Sequence, residues 1–412
     1  MRRIAFTSAA LGFVCATVLR GEGPPPIFPP ALRPGDTVQL VAPAGSLERS
    51  RVELARTRLT RMGFHVRVPE NLFRKRGYLA GDDDVRAEEL MAAFRDPTVR
   101  AVLPGAGGYG TTRLLDLLDY EAIRQNPKVL LGYSDITGLH LAIQRKTGLV
   151  TFHGPVVSHG LGSRENLTVF SRDYLWRALL YRSYFDWAGQ LLDEGYTYEL
   201  PPALPELRAL SSGRAAGRLT GGNLSLVCAL MGTAFEVQTA GRVLFIEDTN
   251  EEPYRIDRYL SQLRLGGKFD RVSAVILGQF TNCESRKGED SLSLEQVLAD
   301  YFEGLGVPVI ANFPAGHSRF NATLPINALV EVDADARRVR LLENPVQLGE
   351  PGQTLPPDLA APEVGVEPDV VPEPTATAPA RAGLPDNGPD PASSPASAPA
   401  RPIDDDLLRR IP

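Results

Sequence analysis

The sequence has few residues of the kinds that build metal sites, disulfide frameworks or nucleic-acid surfaces. Its three cysteines, Cys15, Cys228 and Cys283, lie too far apart for a zinc motif or a set of disulfides. Its 44 basic residues are fewer than its 50 acidic ones and form no basic stripe, so a nucleic-acid partner is not expected. After Leu19 no apolar run is long enough to span a bilayer. What is present is 43% hydrophobic residues in 412, enough for two domains with a sizeable core.

The first 22 residues have the pattern of an export signal. Met1–Arg3 carries positive charge, Ile4–Leu19 is largely apolar, and Arg20 and prolines from Pro24 end the run. About 16 apolar residues are short for a membrane span, which needs about 20. We therefore predict that residues 1–22 are a signal peptide and that the mature protein is periplasmic or extracellular, without a stable span. A frayed apolar N-terminus is the alternative, and an uncleaved leader would leave the protein in the cytoplasm.

Strand-like and helix-like segments alternate along the first part of the remaining chain. The predicted strands are Thr37–Ala42, His65–Val68, Ala101–Pro104 and Lys128–Gly132, and the predicted helices are Glu48–Met62, Asp82–Arg95 and Asp135–Lys146. This alternation indicates a mostly parallel sheet covered on both faces. We therefore predict an α/β fold with an N-terminal domain at residues 32–155.

The pattern weakens over residues 156–212, which we interpret as a connection to a second domain at residues 213–348. That domain is predicted to be a β-rich α/β domain. Its predicted strands are Arg242–Ile246, Ala274–Leu277, Val307–Ile310, Leu329–Val332 and Arg338–Leu342, and its predicted helices are Leu224–Met231, Arg255–Leu263 and Leu294–Phe302. Residues 350–412 contain 15 of the 35 prolines and carry a net negative charge, so we predict a disordered tail.

The segment Lys128–His140 places a serine between a predicted strand and a predicted helix. The strand ends at Gly132, and Ser134 follows just before the helix. Such a turn lifts a serine side chain clear of the sheet edge and sets helix N–H groups beside it, where an oxyanion can be held. The G-x-S-x-G pattern is incomplete, because Ile136 stands at the second glycine. The alternative is that Ser134 only caps the helix.

A glycine-rich turn, Gly105–Gly110, follows the predicted strand Ala101–Pro104. It fits the dinucleotide pattern G-x-G-x-x-G, but that fingerprint belongs after the first strand of its fold, and here two predicted strands come earlier. The other interpretations are a plain tight turn and a backbone wall that a ligand approaches closely. We favour the backbone wall.

A nucleophilic serine needs a base, and the chain has five histidines. His317 lies in the loop after the predicted strand Val307–Ile310, where α/β folds place binding loops. His140 is expected to be packed on its helix, and His153 and His159 have no supporting pattern. The alternative for His317 is an ordinary surface position.

Two acidic residues end a predicted strand of the second domain. Glu247 and Asp248 follow the apolar segment that begins at Arg242. Either carboxylate could orient an imidazole and stabilise its protonated form. A solvated turn is the alternative for both residues.

Short motifs across residues 32–348 match one family in combination. They are Leu32–Asp36, Gly107–Gly110 with Arg113–Asp116, Leu118–Tyr120, Asn126–Lys128, Gly132–Thr137, His153–Pro155, Gly221–Leu224 with Gly232–Thr233, Glu247–Asp248, Pro253–Asp257 and Gly316–His317. Together they resemble the LD-carboxypeptidase family of serine peptidases, which includes muramoyl-tetrapeptide carboxypeptidase and the microcin C self-immunity peptidase.

The resemblance implies a catalytic triad in which Ser134 is the nucleophile, His317 the base and Glu247 the orienting acid. It also implies an N-terminal α/β domain and a C-terminal β-rich domain with the site between them, often in a homodimer. No metal and no cofactor are implied.

The same resemblance implies an oxyanion hole made by the N–H groups of Asp135 and of Gly107 or Gly108. Substrate contacts are implied for Tyr109, Asn223 and Arg319.

Two departures from the family pattern concern the substrate pocket. The family usually has arginine before the Gly-Gly-Tyr-Gly turn, where this chain has Ala106, and glycine after the histidine, where it has Ser318. A buried substrate carboxylate needs a cation or several N–H donors. Arg319, or else Arg113, could replace the missing arginine, and we favour Arg319.

We therefore predict a serine carboxypeptidase that hydrolyses the amide bond to a terminal D-amino acid, with D-alanine expected, in a peptidoglycan peptide through an acyl-enzyme. One alternative is an amide hydrolase of the same fold that acts on aminoacyl-nucleotide or antibiotic conjugates. Another is a catalytically inactive protein that binds the cell wall.

Overall fold

Two sheets flanked by helices make up the part of the chain that the structure, a computed structural model, describes. The described residues are 23–163, 165–184, 195–200, 204–285 and 290–348. The predicted signal peptide and the predicted disordered tail lie outside these ranges. Within them, no helix has the length and apolar character needed to cross a bilayer.

The strands and helices follow one another in a regular order. The strands are β1 (Thr37–Val41), β2 (His65–Arg67), β3 (Val99–Pro104), β4 (Val129–Gly132), β5 (Thr151–His153), β6 (Tyr196–Thr197), β7 (Arg208–Ser211), β8 (Arg214–Asn223), β9 (Arg242–Thr249), β10 (Ala274–Thr281), β11 (Val309–Ala311), β12 (Leu324–Ile326), β13 (Leu329–Asp333) and β14 (Arg338–Leu341). The helices are α1 (Arg49–Arg61), α2 (Asp83–Arg95), α3 (Tyr120–Gln125), α4 (Thr137–Thr147), α5 (Val169–Leu179), α6 (Leu224–Ala229), α7 (Pro253–Leu265) and α8 (Leu294–Phe302).

The first sheet has six strands in the order β12-β5-β4-β3-β1-β2. Strands β1 to β5 are parallel, and β12 is antiparallel to β5. The central strands β3 and β4 are buried over nearly their whole length, as is usual when helices cover both faces of a parallel sheet. The prediction of a mostly parallel N-terminal sheet is confirmed.

The second sheet has eight strands in the order β6-β14-β13-β8-β9-β10-β11-β7. Its centre, from β8 to β11, is parallel, and antiparallel strands close both sides. This confirms a second, β-rich α/β part of the molecule. Strand β8 was not predicted, because three glycines and two arginines interrupt its apolar pattern.

The two sheets do not divide at the predicted domain boundaries. Strand β12 comes from the predicted second domain yet pairs with β5 of the first sheet. Strands β6 and β7 come from the predicted connection, 156–212, yet belong to the second sheet. That segment also contains helix α5, which Thr168 caps by accepting a hydrogen bond from the Ser171 N–H. The segment is therefore more than a plain connection.

Buried polar contacts join helix α4 to the second sheet. Gln144 donates to the Leu219 carbonyl at 2.9 Å and accepts from the Thr220 hydroxyl at 2.7 Å. The Thr137 hydroxyl accepts a hydrogen bond from the Asn223 N–H at 3.0 Å. Buried polar groups require such partners, so these bonds fix the second sheet relative to the helix that follows Ser134.

Candidate active site

Ser134 stands in a strained turn at the carboxyl end of β4. A 3₁₀ turn, Ser134–Ile136, joins β4 to helix α4, and Ser134 has a φ of 63°. A non-glycine residue in this left-handed region is uncommon and costs about 1–3 kcal/mol. A side chain at Gly132 would begin 2.9 Å from two Ile136 carbons. Gly132, two residues before the serine, therefore leaves room for Ile136, which stands where the G-x-S-x-G pattern has its second glycine.

The glycine turn after β3 lies directly against this serine. A Cβ atom at Gly107 would be 2.8 Å from the Ser134 Cβ and 3.0 Å from its Oγ. In the described part of the chain, the N–H groups of Gly107 and Gly108 donate no backbone hydrogen bond, and Asp135 lies in the first turn of a 3₁₀ helix, where N–H groups have no partner within the helix. Unpaired N–H groups beside a serine hydroxyl are what an oxyanion hole requires. The arrangement suits the predicted role of these three residues, which stays a prediction.

Asp135 fastens the glycine turn to the serine turn. Its carboxylate accepts from the Thr111 N–H at 2.8 Å, and its carbonyl accepts from the Thr111 hydroxyl at 2.6 Å. Burial raises the pKa of Asp135, and the hydrogen bonds from Thr111 oppose that rise. A Cβ atom at Gly138 would lie 2.7 Å from the Thr111 hydroxyl oxygen, so the absence of a side chain there gives this hydroxyl its room. Side-chain bonds thus set the spacing between the two turns.

His317, in the loop after β11, contacts Glu247 on strand β9. The His317 Nδ1–H donates to Glu247 Oε2 at 2.7 Å, and the glutamate is fully buried at the end of β9. A Cβ atom at Gly316, whose φ is 131°, would lie 2.7 Å from that same oxygen. Glycine is therefore needed for the imidazole to approach the acid.

Opposing effects act on the pKa of His317. Burial lowers it, but the charge and hydrogen bond of Glu247 and the charge of Asp248 together raise it above the ordinary value of 6.5. Glu247 Oε1 is buried and has no hydrogen-bond partner among the described residues. The acid therefore directs one oxygen at the imidazole and stabilises its protonated form.

Asp248, the other candidate acid, faces away from the histidine. Its carboxylate accepts from Asn223 Nδ2 at 3.0 Å, from the Ser225 N–H at 2.9 Å and from the Thr249 N–H at 2.8 Å. Burial and the neighbouring Glu247 raise its pKa to about 6. Successive residues of a strand point to opposite faces, so only one of the two acids can meet His317.

The loop that carries His317 runs from one sheet to the other. It leaves β11 of the second sheet and enters β12 of the first. The Gly316 N–H donates to Asn321 Oδ1 at 3.2 Å, and the Asn321 N–H donates to the Ser171 hydroxyl at 2.8 Å. These bonds hold His317 in the loop that joins the two sheets, on the side of the first sheet where Ser134 follows β4.

Tyr133, which sequence reasoning did not identify, links the base to the serine turn. Its ring centroid lies 4.8 Å from that of His317. Among the described residues the Ser134 hydroxyl itself makes no hydrogen bond. In enzymes without substrate, catalytic hydrogen bonds are often long and tighten only on binding. No sequence pattern around Tyr133 distinguishes it from an ordinary core aromatic residue.

The two arginines proposed to replace the family arginine have different surroundings. Arg319 is exposed, its guanidinium 5.2 Å from the Phe320 ring, and it forms no ion pair within the described residues. Arg113 donates from Nε to both carboxylate oxygens of Asp83 at 2.9 Å. Arg113 is therefore already occupied, whereas Arg319 remains available for a substrate carboxylate.

The other two predicted substrate contacts also differ. Tyr109 is exposed on the glycine turn. Asn223 is buried, and its side chain accepts from the Ser225 hydroxyl and the Leu226 N–H in addition to its bond to Asp248. These bonds give Asn223 a structural role at the start of α6. A substrate contact by Asn223 stays a prediction without support from its surroundings.

The other candidate histidines make no hydrogen bond to Glu247 among the described residues. His140 is buried, as expected, and donates from Nε2 to the Gly132 carbonyl at 2.8 Å. His153 is fully buried, with neither ring nitrogen bonded to any described residue. His159 is exposed on a turn of π-helix, Val157–Leu161. Within the described ranges, no group of three or more histidine, cysteine or acidic side chains is arranged to hold a metal ion.

Comparison with known proteins assigns two segments of the described region to one family. The profile of the LD-carboxypeptidase N-terminal domain matches residues 38–154, and that of the C-terminal domain matches residues 216–332. The chain is 41% identical over 321 residues to a probable murein peptide carboxypeptidase of Bacillus subtilis, covering 78% of this chain and 96% of that protein.

Solved structures agree with this assignment. The microcin C7 self-immunity protein MccF, in complex with aspartyl sulfamoyl adenosine, has a TM-score of 0.70 and 27% identity, covering 78% of this chain and all of that one. The muramoyltetrapeptide carboxypeptidase from Oxalobacter formigenes has a TM-score of 0.62 and 26% identity, covering 74% and 97%. This chain therefore belongs to the LD-carboxypeptidase family of peptidases.

Proposed function

We propose that this protein is a serine carboxypeptidase that removes a terminal D-amino acid from peptidoglycan peptides, and that residues 1–22 direct its export. The observation that carries the proposal is the 2.7 Å hydrogen bond between His317 and Glu247, beside the strained turn of Ser134. A serine, an imidazole and a buried acid in this order are the parts of a nucleophilic triad.

In the proposed mechanism, Ser134 Oγ attacks the carbonyl carbon of the scissile amide. His317 Nε2 takes the hydroxyl proton, while Glu247 keeps the other ring nitrogen protonated and stabilises the imidazolium. The C–N bond then breaks, and His317 passes its proton to the nitrogen of the departing D-amino acid. Water attacks the resulting ester with His317 as base, which releases the shortened peptide and restores Ser134.

The oxyanion of each tetrahedral intermediate would accept hydrogen bonds from the N–H groups of Asp135 and of Gly107 or Gly108. Because Thr111 fixes the two turns through Asp135, these donors need little rearrangement when charge develops. Loss of a single such donor typically lowers kcat by about 10²–10³-fold. Preorganised backbone donors therefore account for a substantial part of the expected catalysis.

Recognition of a free carboxyl terminus is assigned to Arg319. A planar guanidinium can bind both oxygens of a carboxylate. The exposed position of Arg319, two residues after His317 and without an ion pair in the described residues, supports this assignment. The family arginine is replaced by Ala106, so selection of the leaving residue would depend on the loop that carries the base.

A second candidate function is hydrolysis of an aminoacyl-nucleotide conjugate. It is favoured by the likeness to MccF, whose structure contains aspartyl sulfamoyl adenosine. Both reactions cut an amide beside an amino-acid carbonyl, so the same triad would serve either one.

The proposal is tested by incubating the purified protein with a muramoyl tetrapeptide that ends in D-alanine and, separately, with aspartyl sulfamoyl adenosine. Mass spectrometry should show loss of one D-alanine from the peptide and little change in the nucleoside. Ser134→Ala is the control and should release nothing. A fluorophosphonate probe should label Ser134 in the wild type. Preferential cleavage of the nucleoside would favour the second function, and absence of both cleavage and labelling would favour an inactive wall-binding protein.

A further inference from the structure

Two exposed tyrosines form a pair beside the glycine turn. Tyr78 is 69% exposed and Tyr109 is 45% exposed. Their ring centroids are 5.8 Å apart and their planes are inclined by 60°. Large aromatic side chains normally contribute to cores or binding surfaces, since burying them removes much apolar area from water. Here both rings leave much of their surface in water.

The backbone holds the two tyrosine loops together. The Gly45 N–H donates to the Gly107 carbonyl at 3.0 Å, next to the turn that carries Tyr109. Gly45 also forms an antiparallel bridge with Leu79, next to Tyr78. A Cβ atom at Gly45 would lie 2.9 Å from the Gly107 oxygen, so this close approach needs glycine. The pair is therefore supported by backbone contacts, in addition to the contact between the two rings.

This surface begins close to the nucleophile. Gly107 packs against Ser134, and Tyr109 is two residues further along the chain. Two residues place the Tyr109 Cα within about 8 Å of the Gly107 Cα. The tyrosine pair therefore flanks the glycine turn within reach of a substrate whose carbonyl lies at Ser134.

Two arginines near the pair are each matched by an acidic residue. Arg76 pairs with Asp82 at 2.6 Å, and Arg113 pairs with Asp83. Neither ion pair offers a free charge for a charged ligand group to bind. Since these two arginines are occupied, the paired rings themselves are the feature left for a ligand, and they suit an uncharged group with an apolar face.

We propose that Tyr78 and Tyr109 form a stacking surface for the N-acetylated sugar of a muropeptide, on the acyl side of the scissile bond. The inference rests on the proposed function and extends it to a part of the substrate distant from the bond that is cut. The peptide portion of a muropeptide carries carboxylates and amines. The pyranose ring at its amino end is uncharged, with a C–H face that suits an aromatic ring and hydroxyls that suit a phenol.

The length of the peptide agrees with this placement. In a muramoyl tetrapeptide, three residues separate the sugar from the bond to the terminal D-amino acid. Three extended residues span about 10 Å. That span is comparable to the distance covered by the glycine turn and one tyrosine side chain.

The experiment compares a muramoyl tetrapeptide with the free tetrapeptide. We expect the wild type to have a KM about tenfold lower for the sugar-bearing substrate, as one aromatic stacking contact would produce. In Tyr78→Ala/Tyr109→Ala this KM ratio should fall to about one. Tyr78→Phe/Tyr109→Phe should keep most of it, because the rings remain. Tyr254→Ala removes an equally exposed tyrosine, at the start of α7, and should leave the ratio unchanged.

A binding measurement separates this inference from the proposed function. Ser134→Ala should bind N-acetylmuramoyl peptide more tightly than free peptide by calorimetry, and the two tyrosine-to-alanine changes should remove the difference. A wild-type KM ratio near one, or a ratio that survives the double alanine variant, would overturn the sugar surface while leaving the peptidase intact. Tyrosine-dependent binding of adenosine compounds in place of the sugar would also overturn it. Binding of sugar without any cleavage would instead reject the proposed function alone.

Discussion

The Nδ1 atom of His317 lies 2.7 Å from Oε2 of Glu247, although the first residue lies in a loop, the second lies on strand β9, and they are 70 positions apart. The acid is fully buried and the imidazole is nearly so. A hydrogen bond to a buried carboxylate fixes both the tautomer and the direction of a histidine ring. With Nδ1 bound to the carboxylate, Nε2 is the ring nitrogen that the proposed mechanism uses to take the proton of Ser134.

Ser134→Ala and His317→Ala should each lower kcat by about 10⁴–10⁶-fold, because nucleophile and base act as one unit. The double variant should be little worse than either single one. Turnover of a muramoyl tetrapeptide provides the measurement, and unchanged circular dichroism confirms that the fold survives. Losses that multiply in the double variant would mean that the two residues do not share a mechanism.

The pH profile of kcat/KM should have an acid limb set by His317. Glu247 raises the pKa of His317 above 6.5 against the effect of burial, so activity should fall as the pH drops through that raised value. In Glu247→Gln the remaining activity should be about 10⁴-fold lower, with its acid limb displaced to lower pH. Asp248→Asn should shift the limb in the same direction but less, since Asp248 acts through its charge alone. If the acid limb stays at the same pH in Glu247→Gln, a group other than His317 must set it.

Arg319→Ala should cripple cleavage of a peptide with a free C-terminal carboxylate. The same peptide with an amidated C-terminus should be a poor substrate for wild type and variant alike, because it lacks the charge that the guanidinium pairs with. Arg113→Ala is the matched comparison and should affect cleavage less, since Arg113 already pairs with Asp83. Equal losses on both peptides, or no loss on either, would remove Arg319 from carboxylate recognition.

Asp248 should make the protein less stable as the pH rises from 4 to 7. Its pKa in the folded protein, about 6, is above the ordinary 3.8, so its protonated form is favoured by folding. The contribution is present in full below about pH 4 and is lost as the pH rises through 6. Asp248→Asn should therefore flatten the pH dependence of the free energy of unfolding by about 1–3 kcal/mol, measured by denaturant titration at several pH values. If Asp248→Asn leaves the pH dependence of the free energy of unfolding unchanged, the group that takes up the proton on folding is not Asp248.

Deletion of residues 351–412 should leave turnover unchanged. The segment is rich in proline, alanine and acidic residues, and such a composition cannot bury enough apolar surface to offset its ordering entropy. Steady-state kinetics and the melting temperature of the shortened protein provide the check. A clear drop in either would indicate docking by the segment Asp404–Ile411.

The parts of the fold that the sequence predicts correctly are those with an unbroken local pattern. Strand β4 and the part of β9 before Glu247 have continuous apolar segments, and helix α8 runs over the predicted Leu294–Phe302. Strand β8 was missed because its glycines and arginines hide the pattern. The pairing of β12 with β5 joins positions about 170 residues apart in the chain, and no local pattern reports such a contact.

The candidate site was predictable to a similar degree. Ser134 and Glu247 follow recognisable strands, so their positions could be inferred without a structure. Whether Glu247 or Asp248 meets the imidazole depends on which face of β9 is turned toward His317, and the sequence leaves that open. The contact between the rings of Tyr133 and His317 depends wholly on how the two sheets approach each other.

The path of the chain after β11 makes the two halves of this protein inseparable. The segment that carries His317 leaves the second sheet, and the strand that follows, β12, completes the edge of the first sheet before the chain returns to β13. A fragment that ended before β12 would expose the edge of β5 and invite aggregation. A fragment that ended at β11 would also lack His317. Chimeras between relatives should therefore function only if residues 324–326 come from the same parent as the first sheet. The two halves cannot be exchanged as independent modules.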